Sequence, residues 1–127
     1  MTQTFKVQTS VISGLFAFAC LMTTVGALAG NALSGDDIKA MIADTTIEGQ
    51  MNDGSAYSEF YQADGKIKAK DYAGKWTVEG DSMCFDYTTQ PGKMCYQIGR
   101  NATGIDWIKE GKVEGTGTVS KGNIRNY

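Results

Sequence analysis

The chain has 127 residues, 42% of them hydrophobic, with 12 Lys and Arg against 14 Asp and Glu, no His and a single Pro, Pro91. This mildly acidic balance lacks the basic face that a nucleic-acid partner requires. Without His the chain lacks the side chain that exchanges protons most readily near neutrality. It also carries no nucleophile elbow, phosphate-binding glycine loop, zinc-protease helix motif or calcium loop. These absences argue against an enzyme, a cofactor or a metal.

The first 29 residues read as a cleaved signal peptide. Lys6 is their only charged side chain, an apolar run extends over 11–25, and Ala27-Leu28-Ala29 has the small-x-small form of a cleavage site. The run is too short to span a bilayer as a helix, which takes about 20 apolar residues, so no stable membrane span is expected after cleavage. Ala32 is the next candidate for the cut. Cys20 lies inside the leader, and the bulky Phe18 before it departs from a lipoprotein signal. Residues 30–127 are then one domain. They hold 11 of the 12 basic residues and all 14 acidic ones, a net charge of −3. An exported location, periplasmic or secreted, is expected.

One short helix is predicted over 33–44. Ser34 is a good N-cap, and Asp37, three residues on, matches the reciprocal partner of a capping box. Leu33 and Ile38 have the spacing of a hydrophobic staple. Ile38, Met41 and Ile42 form one apolar stripe.

From residue 45 the hydrophobic period changes to two. Turn signals recur at Asp53-Gly54, Asp64-Gly65, Gly80-Asp81, Pro91-Gly92, Thr103-Gly104 and Glu110-Gly111. Strands are predicted near 46–50, 57–62, 66–70, 75–79, 83–87, 93–99, 105–109 and 113–119. No connection is long enough for a parallel crossover. The fold class is therefore mainly β: an antiparallel meander of about eight short strands, forming a small barrel or a strongly curved sheet, preceded by one short α-helix. Alternation places Ile47, Phe60, Ile67, Ala69, Trp76, Val78, Met83, Phe85, Met94, Tyr96, Ile98, Ile105, Trp107, Val113 and Val119 inward. So many large side chains are expected to fill a small barrel solidly. Gly115 and Gly117 allow a bend or a close backbone approach in the last strand. The tail 121–127 is polar and is expected to be loose.

The segment 83–98 carries the most information. Met83, Phe85 and Tyr87 alternate with Cys84 and Asp86; Met94, Tyr96 and Ile98 alternate with Cys95 and Gln97. A hairpin turning at Thr89 and Gln90 sets Cys84 opposite Cys95 and Phe85 opposite Met94. Both cysteines then leave the apolar face and lie within disulfide reach of each other. Two cysteines in the exported part favour a structural disulfide. A redox pair lacks C-x-x-C spacing, and two thiols without His make an incomplete zinc site.

The run Tyr72-Ala73-Gly74-Lys75-Trp76-Thr77-Val78-Glu79-Gly80-Asp81-Ser82-Met83-Cys84, with Cys95-Tyr96 beyond it, resembles small bacterial periplasmic proteins of unknown function. These share a G-x-W-x-V-x-G-D-x-x-C pattern and a second Cys about ten residues later. Leu33-Ser34-Gly35-Asp36-Asp37-Ile38, Tyr61-x-x-Asp64-Gly65 and Gly115-x-Gly117 are similar to the same group. The resemblance implies export and a β fold and brings no activity, ligand or catalytic residue. The hairpin also resembles those of lipocalin-like and protease-inhibitor barrels.

Tyr57 and Tyr61 are out of phase with Phe60, and with Tyr72 they are expected to form a surface or rim patch for a partner. Lys66, Lys68 and Lys70 form an outward stripe that discourages edge pairing. Asp36 and Asp37 suit the positive end of a helix, and Asp81 suits a turn. The expected function is a binding or interaction module with a protein partner, inhibitor-like or envelope-associated. A lipocalin-like barrel for a small molecule is the alternative, and an enzyme ranks below both.

Overall fold

A computed structural model describes residues 32–127. The expected signal peptide, the expected cleavage site at Ala29 and Cys20 lie outside the described residues. One helix, α1 (Gly35–Ile42), precedes eight strands: β1 (Thr45–Met51), β2 (Ala56–Tyr61), β3 (Lys66–Lys68), β4 (Ala73–Glu79), β5 (Ser82–Tyr87), β6 (Met94–Arg100), β7 (Ile105–Lys109) and β8 (Lys112–Lys121). Each strand pairs antiparallel with the next, and β8 returns to β1 to close the barrel. The choice between barrel and open sheet is thus settled by seven residue pairs from Thr45↔Lys121 to Met51↔Gly115. Closure leaves no sheet edge unpaired.

The turns follow the sequence signals. At Glu110-Gly111 both residues have positive φ, 50° and 75°, which is the geometry of the two-residue turn that matches strand twist. Lys109 and Lys112 pair across it.

Helix α1 starts as its sequence dictates. The Ser34 hydroxyl accepts from the Asp37 amide at 3.2 Å and donates to the Asp37 carboxylate at 2.7 Å. Ile38 and Ile42 are fully buried and join the barrel core with Ile47, Tyr61 and Trp76. The Gly35 amide donates to Asp81 Oδ1 at 2.8 Å, which ties the helix start to the β4–β5 turn. Asp81 is therefore a tertiary anchor as well as a turn residue. The β2–β3, β4–β5 and β6–β7 turns all lie at this end of a meander, and α1 plugs it. The β1–β2, β3–β4, β5–β6 and β7–β8 connections lie at the other end. Among the described residues no helix is long and apolar enough to cross a membrane.

Cys84 pairs with Cys95 across β5 and β6, with sulfurs 2.08 Å apart and Cα atoms 4.0 Å apart. Phe85 pairs with Met94 in the same register.

Three expectations are corrected. Phe60 is buried, but on the outer wall: it pairs with Thr46, whose hydroxyl bonds the tail at Gly122 and Ile124. The tail itself is docked. Arg125 Nε donates to Glu48 Oε1 at 2.7 Å, and Tyr127 Oη donates to Ser58 Oγ at 2.7 Å. It lies along the outer face of β1 and β2, bonded to Thr46, Glu48 and Ser58, and Thr46 is the cross-strand neighbour of Phe60. Strand β3 ends at Lys68, because the Ala69 amide donates to the Tyr72 carbonyl in a turn. Ala69 is thus in a turn, not on an inward strand position.

Candidate functional site

Alternation along β2 sends Tyr57, Glu59 and Tyr61 into the barrel. They meet Phe85 and Tyr87 from β5, Met94 and Tyr96 from β6, Trp107 from β7 and Tyr72 from the β3–β4 connection. Together with the loops at the unplugged end they line a cavity of about 480 Å³. The solid interior expected from the sequence is present as a packed core that includes Ile38 and Ile42 of α1, while the unplugged end opens on this cavity. Seven of the lining residues are aromatic. Their rings pack edge to face or offset, with centroids 5.4 Å apart for Phe85 and Trp107 and 5.8 Å apart for Tyr72 and Tyr87. These are the separations at which ring quadrupoles attract.

Glu59 is the unusual member. It is 4% exposed, and no Lys or Arg forms an ion pair with it among the described residues. Three tyrosine hydroxyls replace the cation. Tyr61 and Tyr87 donate to Oε2, the latter at 3.0 Å, and Tyr72 donates to Oε1 at 2.6 Å. Hydrogen bonds to a carboxylate are stronger than neutral ones. They offset the desolvation that would otherwise exclude a lone carboxylate from the interior. A fourth tyrosine, Tyr57, accepts from Trp107 Nε1 at 2.6 Å and donates to the Thr116 carbonyl at 2.8 Å.

The site residues read from the sequence separate here. Tyr61 is 1% exposed and belongs to the core, so it is not part of an outer patch. Tyr57 and Tyr72 are half-buried and line the cavity instead of the outer wall. Glu59 and Tyr87 complete the cluster, and of the two Glu59 was not singled out by sequence. The signal for Glu59 was the alternation Tyr57, Glu59, Tyr61, which places three hydrogen-bonding side chains on one face. The metal reading of the cysteines gains nothing: Glu79, Cys84 and Cys95 lie close together, but both sulfurs are engaged in the disulfide.

Burial raises the pKa of every one of these hydroxyls, to about 12 at Tyr57 and further at Tyr61, Tyr72 and Tyr87. The negative charge of Glu59 adds to the effect at all four, and the Trp107 donor partly opposes it at Tyr57. In the unfolded chain tyrosines ionise near pH 10. The stabilisation is therefore complete below about pH 10 and is lost as the pH climbs above it. The loss is about 1.4 kcal/mol per pH unit for each of the two deepest hydroxyls, Tyr61 and Tyr87. Absorbance at 295 nm is expected to show these tyrosinates only as the barrel unfolds. Their ionisation near pH 10 with the far-ultraviolet circular dichroism intact would contradict the cluster.

Comparison with protein-family models, with curated proteins and with solved structures gives no match.

Proposed function

We propose that this domain is an exported, non-catalytic barrel that binds a small organic molecule through its unplugged end. One observation carries the reading: the aromatic-lined cavity of about 480 Å³. Pockets for small molecules have this size and combine a largely apolar wall with a few placed polar groups. The wall here offers seven rings and one deeply buried carboxylate. The competing reading, a protein-binding module, called for a solid core and an exposed aromatic patch. Among the described residues Ile124 is the exposed large hydrophobic, at 48%. The apolar leader with its Ala27-Leu28-Ala29 site and the cysteine pair support export to the periplasm or beyond.

Nile red, a neutral dye that brightens in apolar surroundings, tests the reading. Saturable binding of one dye per chain is expected, confirmed as a one-to-one complex by native mass spectrometry. Emission that rises without saturation, or with several dyes per chain, would count against it.

A further inference from the structure

We propose that the ligand is an organic cation, a protonated amine on an apolar or aromatic body, whose N–H is received by Oε1 of Glu59. The inference rests on the ligand-binding reading above and specifies its chemistry.

Charge points first to the sign. The cavity wall includes Asp53, Glu59 and Glu114 and, among the described residues, no Lys or Arg. An anionic guest would meet like charge with nothing to pair it. A cation meets Glu59, which is itself 4% exposed, where an ion pair is strengthened by the low local dielectric around that carboxylate.

Hydrogen-bond capacity points next to the atom. An ionised carboxylate has about four acceptor positions, two on each oxygen. Oε2 already receives two donors, Tyr61 and Tyr87. Oε1 receives one, Tyr72. One acceptor position on Oε1 remains, and no protein group among the described residues uses it. A ligand N–H⁺ completes the set without displacing any tyrosine.

The rings supply the third argument. Aromatic faces attract ammonium groups, and cages of several rings are the usual receptors for organic cations. The chain already shows the contact: Lys109 Nζ sits 5.8 Å from the ring centroid of Tyr96, a residue of the cavity wall.

A matched series separates this inference from the reading beneath it. Phenethylamine, the neutral phenethyl alcohol and the anionic 3-phenylpropionate share a ring and a short chain and differ in charge. Calorimetric titration at pH 7 is expected to rank the amine at least about tenfold above the alcohol, with the carboxylate weakest. In Glu59→Gln, which keeps the shape and removes the charge, the advantage of the amine over the alcohol is expected to disappear. Equal binding of amine and alcohol by the native protein would overturn the cation assignment and leave the ligand-binding reading standing. An amine preference that survives Glu59→Gln would overturn the role of Glu59. Binding of none of the three, with no saturable dye binding, would overturn both. If Glu59→Gln fails to fold, Tyr72→Phe serves in its place. It frees the second position on Oε1, and the amine-to-alcohol ratio is expected to rise; an unchanged or lower ratio would overturn the assignment.

Discussion

Gly49→Ala is expected to destabilise the barrel by about 3 kcal/mol or more, read as a lowered urea midpoint with an unchanged slope. Gly49 sits where β1 meets β8 and pairs with Gly117. A Cβ placed on it would lie 1.9 Å from the Thr116 carbonyl oxygen, 2.7 Å from the Tyr57 hydroxyl and 2.8 Å from the Gly117 Cα. Two of these neighbours are backbone, so no rotamer change relieves the clash. The seam itself must part, and the Tyr57 bond to Thr116 parts with it. Because Trp107 donates to Tyr57, the damage reaches the cavity wall. A stability within about 0.5 kcal/mol of the native protein would show that the strands do not approach this closely.

The second large effect is expected on opening the disulfide. Cys84 and Cys95 are 11 residues apart and directly opposed on adjacent strands. Restoring freedom to such a loop in the unfolded chain costs the folded state about 2.5–3 kcal/mol. The double variant Cys84→Ser/Cys95→Ser is expected to lose that amount in urea unfolding, and reductant is then expected to have no further effect on it. In the native protein, reductant is expected to lower the midpoint by a similar free energy. A reductant-insensitive native protein would mean that the two sulfurs are not bonded. The same hairpin carries Phe85, Tyr87, Met94 and Tyr96 into the cavity wall, so ligand affinity is expected to weaken along with stability.

Where local rules decide the outcome, the sequence was informative. Ser34 and Asp37 set the helix start, the glycine turns set the strand ends, and strict alternation around Cys84 and Cys95 set their register. Gly115 and Gly117 marked the close approach, and the structure adds their partners, Met51 for Gly115 and Gly49 for Gly117. Strand β2 could not be read the same way, because both of its faces are buried. Phe60 is the greasiest residue of that strand, yet it faces out, on the side where a tail more than 60 residues away in the chain docks through Thr46 and Ser58. Glu59 looks like a surface residue by type. It lies inside because tyrosines from β2, β5 and the β3–β4 connection converge on it, and only the closed barrel brings them together. The cavity was illegible for a related reason. Side-chain volumes suggest a filled interior, but the packed core gathers with α1 at one end, and the residues lining the cavity include those of the loops at the other. Length and composition count residues and do not say where the gaps between them fall.

The most direct measurement uses the two tryptophans. Trp107 lines the cavity, whereas Trp76 lies outside it, with its indole N–H bound to the Gln62 carbonyl at 2.8 Å. In a proton–nitrogen correlation spectrum the two indole signals are resolved from the backbone. On titration with phenethylamine, the Trp107 indole signal is expected to shift and saturate while that of Trp76 stays in place. A titration in which Trp107 does not move, or in which only outer-wall amides respond, would contradict a ligand seated inside the barrel.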